Sequence, residues 1–191
     1  LDNAIEVLDV AGGIDCSTGS VVRNYSVCSS GNIKLANRYA YLALVTDLYS
    51  KRIVGYQLSH RMPAKLVVKA LKIGLKNRIH PDRELIHHSD RGIQYCCPEF
   101  TQFAQIHNIR LSTTPQSDPY ENAVAERVNG ILKYEFGLKE KIPNLETAQK
   151  MVAQAVKIYN SKRRHMSLQM QTPDFAHRNE QHQYKTYRLN V

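Results

Sequence analysis

The hydrophobic positions become regular from Tyr39 onward. The stretch "YAYLALVT" is apolar on both faces, the pattern of a central strand covered on each side, and "RIVGYQLS" is rich in β-forming residues. Asp47 to Lys51 between them reads as the turn of an antiparallel hairpin. In "PAKLVVKALKIGLKNR" the residues Leu66, Val67, Ala70, Leu71 and Leu75 fall on one helical stripe, with Pro63 suited to the first turn. "ELIHHS" is short and apolar, a buried strand ending at Asp90; "PEFTQFAQIHN" reads as a helix and "IRLST" as another short strand.

After the loop "TPQS" stands the clearest helix start in the chain. Asp118 as N-cap, Pro119 at the first helical position and Glu121 at the third form a capping box, which satisfies the orphan amides of a helix start. That helix is expected to run to Phe136, and a second from Leu145 to Tyr159, with Ala148, Val152, Ala155 and Tyr159 at helical spacing. The first 33 residues are less regular: "LDNAIEVLDVAGG" suits a short helix stopped by Gly12-Gly13, and "SVVRNYSV" suits a strand. Hairpin, helix, strand, helix, strand and two long helices predict an α/β domain with helices packed on a mixed sheet.

Length changes little in this picture: 191 residues suffice for one well-buried domain. No window is apolar enough to span a bilayer and no secretory pattern opens the chain, so a protein of the cell interior without a membrane partner is expected. The four cysteines, Cys16, Cys28, Cys96 and Cys97, lack Cys-x-x-Cys spacing and predict reduced side chains without structural zinc.

Charge matters more. The net charge is +9, and residues 1–33 carry one Arg against four acids, so the basic excess lies beyond them. A polyanionic partner follows, since Lys and Arg on phosphates release counterions.

Two carboxylates have the setting for chemistry on such a partner. Asp90 closes a buried strand and Glu126 lies in the capped helix, with 35 residues between them. Glu126, Asn129 or Gly130, and Lys133 share a helix face, opposite an apolar stripe of Val124, Val128, Ile131 and Leu132. Phosphodiester chemistry uses carboxylates to hold divalent ions and a basic group to grip phosphate.

"HHSDRGIQY", "SDPYENAVAERVNGILKYE" and "YNSKRRHMSLQMQTP", together with "YLALVTDLYSKRIVGY", resemble the integrase catalytic core of bacterial insertion-sequence transposases of the DDE type, within the retroviral-integrase-like superfamily. The resemblance implies a ribonuclease H-like fold with a mixed five-stranded sheet and flanking helices. It makes Asp90 and Glu126 the second and third catalytic, metal-binding carboxylates and Lys133 a DNA-contacting residue. Arg91, in the turn by which the chain leaves the strand, and Arg163, Arg164 and His165 after the last helix are expected on DNA, the last three with packing as the alternative. The implied reaction is DNA strand cleavage at element ends, then attack of the freed 3′-hydroxyl on another phosphodiester. Mg2+ or Mn2+ is the implied cofactor, two ions in an intact site. Element ends and target DNA are the partners, bound by a homo-oligomer beside the bacterial nucleoid in the cytoplasm.

The match departs at the first carboxylate. In the family it lies on the first strand in a pattern like Trp-x-x-Asp-Ile-Thr, whereas this chain has no Trp. Without a gap that position falls on Ser29, and with a two-residue deletion on Gly31, neither of which carries charge. Asp47 reads as a turn residue at the other end of the sheet, and Asp15 would need a long insertion. The expected organisation is a poorly matching segment at 1–32, degraded or mis-framed around the first strand, a core at 33–176, and a loosely held polar tail at 177–191. His87 and His88 are expected to have structural roles, on opposite sides of their strand. Two rivals to an active transposase are a catalytically silent DNA-binding remnant and a ribonuclease H-like nuclease that cuts RNA–DNA hybrids.

Overall fold

The computed structural model describes residues 14–15, 20–21, 25–61, 64–82, 84–89, 97–113 and 123–179. Two short strands, β1 (Ile14–Asp15) and β2 (Ser20–Val21), pair with each other. The main sheet contains β3 (Tyr25–Lys34), β4 (Tyr39–Asp47), β5 (Ile53–Ser59), β6 (Leu85–Ser89) and β7 (Ile109–Thr113), in the order β5-β4-β3-β6-β7. Pairing is antiparallel from β3 through β5 and parallel from β3 through β6 to β7. The mixed five-stranded sheet read from the sequence is therefore present. Its central strand starts at Tyr25, eight residues before the core boundary expected at 33.

Side-chain alternation divides the core. Ile33, Leu42 and Leu44 join the cluster under α3 (Ala123–Glu135) and α4 (Leu145–Ser161), while Cys28, Ala43 and Val45 join the one under α1 (Ala64–Lys76) and α2 (Pro98–Ile106). Every residue of β6 is buried, as a parallel strand between two helical layers must be. Helix α1 crosses β5 so closely that a Cβ on Gly55 would lie 2.1 Å from the Ala70 carbonyl oxygen. Only glycine permits that approach. Pro63 and the capping-box residues Asp118, Pro119 and Glu121 lie outside the described residues, as does the helix expected before Gly12.

The β4–β5 turn is the meeting point of the C-terminal elements. Asp47 accepts bonds from the Ser50 backbone N–H and hydroxyl, confirming its turn role. Asn160 donates from Nδ2 to the Ile53 carbonyl at 2.9 Å and accepts from the Ile53 N–H at 3.0 Å, so one amide side chain pairs the outward backbone of an edge strand. The Tyr159 hydroxyl donates to the Lys51 carbonyl at 3.0 Å. A short helix, α5 (Pro173–Arg178), capped by the Thr172 hydroxyl, is tied to the same turn by an Arg52–Asp174 ion pair at 2.7 Å and a Ser50–His177 bond at 3.1 Å. His177 and Arg178 thus belong to a packed helix; they are not the start of a loose tail.

Candidate active site

Helix α3 packs through Ala125, Val128, Ile131 and Leu132, all buried, with Val124 half-buried, which fulfils the apolar stripe expected from the sequence. The other stripe crosses the central strand. Asn129 Nδ2 donates to Ser29 Oγ at 2.7 Å, and a Cβ on Gly31 would lie 3.0 Å from Asn129 Oδ1 and 3.7 Å from Lys133 Cε. The two positions on which the family's first carboxylate would fall, Ser29 and Gly31, therefore both face this helix. Ser29 is held by a hydrogen bond, and Gly31 leaves room for Asn129. Glu126, one turn before Asn129, is exposed, and Lys133, one turn after it, is half-buried.

Asp90 and Arg91 lie outside the described residues. The strand that leads to them is well defined. β6 runs parallel to β3 in the register Ser26–His87 and Val27–His88, and ends at Ser89, one residue past the last pair; Ser29 stands two residues past it on β3. Asp47 lies opposite Ser26, toward the start of β3 and away from Ser29, at the other end of the sheet as expected.

Both β6 histidines are packed. His87 Nδ1 is hydrogen-bonded with Ser26 Oγ at 2.8 Å, and its ring stands 5.8 Å from that of Phe100 on α2. Burial and, secondarily, the neighbouring His88 push its pKa down to about 3, so the ring is neutral at ordinary pH. His88 Nδ1 is within 3.2 Å of Ser112 Oγ on β7. The two rings have structural partners on neighbouring strands.

The three basic residues after α4 separate. Arg163 makes a two-pronged ion pair with Glu135 at the end of α3, Nε to Oε2 and Nη2 to Oε1, each 2.6 Å. The Arg163 hydrogen bonds hold Glu135 below its usual pKa, and the same bonds raise that of Arg163. His165 is buried edge-on against Tyr159 with ring centres 5.1 Å apart; burial, then the Arg163 charge, lowers its pKa to about 4. Arg164 alone of the three is exposed. Packing, the alternative stated for this trio, describes Arg163 and His165. Glu135 went unnoticed in the sequence because its partner is 28 residues away, beyond any local periodicity. The roles of Tyr159 and Asn160 were missed as well, although both stand in the quoted "YNSKRRHMSL".

Among the described residues, no group of three or more His, Cys, Asp or Glu side chains is arranged to hold a metal ion, and no helix is long and apolar enough to cross a membrane.

Comparison with known proteins matches this arrangement to one family. A family model described as Integrase core domain matches residues 27–119, and a second of the same description matches 107–173. The Insertion element IS600 uncharacterized 31 kDa protein of Shigella sonnei is 34% identical over 146 residues, covering 76% of this chain and 53% of that protein. Transposase InsF for insertion sequence IS3A of Escherichia coli strain K12 is 36% identical over 128 residues, covering 66% of this chain and 44% of that protein. The chain thus spans about half the length of these relatives. The HTLV-2 integrase catalytic core domain, solved with magnesium in a dimeric form, superimposes with a TM-score of 0.63 at 18% identity, covering 81% of this chain and 97% of that one. That likeness establishes the ribonuclease H-like fold. With two models of one description together covering residues 27–173, the chain belongs to the integrase core domain family, alongside the insertion-sequence transposases it resembles.

Proposed function

We propose that this chain is the catalytic core of an insertion-sequence transposase that cuts and joins DNA, with Asp90 and Glu126 as its metal-binding carboxylates and Lys133 as a phosphate contact. The observation that carries the reading is the Asn129–Ser29 bond. It fastens α3 to the central strand while leaving Glu126 exposed one turn before and Lys133 one turn after, beside the strand that leads to Asp90.

Integrase core proteins are metal-dependent, and the residues here suit one such ion better than two. Magnesium is commonly held by one or two carboxylates with waters and substrate phosphates completing its shell, which Asp90 and Glu126 would satisfy. A second ion calls for a further carboxylate, and the neutral Ser29 hydroxyl is already engaged by Asn129. When bound, the ion would polarise a phosphodiester and activate the attacking oxygen. Lys133 contributes a compact positive charge to the phosphate, and Asn129 keeps the helix at its distance from β3. Arg164, exposed where Arg163 and His165 are engaged, is the member of its trio suited to DNA; Arg91 remains part of the proposed contact surface. Element ends and target DNA as partners, a homo-oligomer on DNA, and a place beside the nucleoid complete the reading.

The Ser29 observation also favours a second reading: a core that holds DNA and does not cut it. A labelled element end incubated with the protein and Mg2+ or Mn2+ separates the two. Specific nicking or strand transfer, abolished by Glu126→Gln, supports the enzyme. Retention of DNA with no cleavage supports the silent core. Cleavage of an RNA–DNA hybrid with indifference to element ends would replace both by a nuclease.

A further inference from the structure

Helix α1 carries four lysines, Lys65, Lys69, Lys72 and Lys76, all exposed, at steps of four, three and four residues. At 100° per residue they lie within about 60° of arc, and at 1.5 Å per residue the row is about 16 Å long. No acidic residue occurs anywhere in the helix. Ordinary solvated helices mix signs, as α4 does where Lys150 pairs with Glu146 at 2.8 Å. Like charges three and four residues apart repel, so the row weakens the helix that bears it. None of the four lysines is in an ion pair with a described residue. Lys72 leans over the Phe103 ring of α2 at 5.4 Å.

We propose that this lysine row is a second DNA-binding surface, which tracks the phosphate backbone of a duplex on the side of the sheet opposite Glu126. Its placement follows from the two cores: α1 packs with Cys28, Ala43 and Val45, whereas α3 packs with Ile33, Leu42 and Leu44. A duplex engaged at Glu126 and one lying along α1 are therefore separated by the sheet. The spacing fits the ligand, because one DNA strand presents a phosphate about every 3.4 Å of axis and the row spans about five of them. A lipid surface fits less well. The apolar side of α1, with Leu66, Val67, Ala70 and Leu71, is buried within the domain and has nothing to insert. The inference shares with the proposed function only its choice of polyanion and does not depend on cleavage.

The test is duplex affinity across a salt series, read by fluorescence anisotropy. Each lost phosphate contact lowers the magnitude of the log–log slope by about 0.9, so K65Q/K69Q/K76Q is expected to lower it by about 2.7. Lys72 is kept in that variant because of its contact with Phe103. K150Q/K157Q/K162Q removes as many exposed charges from α4 and its C-cap and should leave the slope within about one of wild type. The arginine variant K65R/K69R/K76R should retain it, and the single variant K69Q reads the same effect, at about 0.9, should the triple variant fold poorly. An unchanged slope in the α1 variants overturns the proposal. So do equal losses in the α1 and α4 variants, a wild type that does not hold duplex at all, or an α1 variant that keeps DNA but loses phosphatidylserine vesicles. Loss of cleavage in Glu126→Gln with the α1 effect intact bears on the catalytic reading alone.

Discussion

Asn129 Nδ2 donates a 2.7 Å hydrogen bond to Ser29 Oγ, joining the middle of α3 to the central strand across 100 residues of chain. In the site proposed above, Ser29 is one of the two positions, with Gly31, open to the first carboxylate, and the bond holds a neutral group there. An aspartate at the same position could accept the Asn129 bond and add a negative charge near Glu126.

Ser29→Asp is accordingly expected to tighten Mg2+ binding on the order of 10-fold, since charge count among the oxygen ligands tunes affinity for such ions. Isothermal titration calorimetry on the variant and wild type measures it. Equal affinities would mean that position 29 does not reach the ion.

Asn160→Ala removes both bonds to Ile53 and leaves a buried N–H and C=O without their partner. The expected loss is about 2 kcal/mol or more, from a penalty of roughly 1–3 kcal/mol for each buried group left unsatisfied. Urea denaturation followed by circular dichroism gives the value. A loss below about 0.5 kcal/mol, the low end for a single net hydrogen bond, would show that the edge pairing contributes little.

Gly55→Ala should cost at least about 2–3 kcal/mol, the upper part of the range for overpacking, because the new methyl meets backbone of α1 and no flexible side chain can yield. Gly74→Ala is the comparison. Its Cβ would stand 3.4 Å from Val45 Cγ1 and Val54 Cγ2, ordinary contact, and the effect should be much smaller. Thermal melts of the two variants decide whether the crossing at Gly55 is as tight as its geometry.

Acid should weaken the fold through its buried imidazoles. Burial lowers the pKa of His165 from 6.5 to about 4 and that of His87 from 6.5 to about 3. Between those folded values and 6.5 the unfolded chain binds more protons, so stability is fully present above 6.5 and is lost as pH falls through the window. His165→Gln should flatten the stability profile between about pH 4 and 6.5. A variant profile parallel to wild type across that window would show that His165 does not set the acid limb.

Much of the fold was legible because hydrophobic period and turn residues agree over long stretches. β4, β5, α1, β6, α2, β7 and α4 fall where their patterns predict, and α3 does so over its described residues. β3 was harder to read, and its contacts explain why. Its Ser29 and Gly31 are small because α3 passes directly over them, a requirement set by a helix 100 residues away. α5 was missed because six residues are too few to show a period and its attachments are largely polar. The Glu126–Lys133 face was readable because helical spacing is local. The engagement of Arg163 by Glu135 was not, since that pairing exists only once α3 and α4 have packed.

The Asn160 clamp has a consequence during synthesis. Ile53 leaves the ribosome 107 residues ahead of the amide that will cover its backbone. Throughout that interval the nascent sheet border is available to any neighbouring strand, and such borders template pairing between chains. A polypeptide halted before Tyr159 would therefore emerge with all five strands of its main sheet and no seal on one side, a species disposed to clump, whereas the next two residues, Tyr159 and Asn160, supply it.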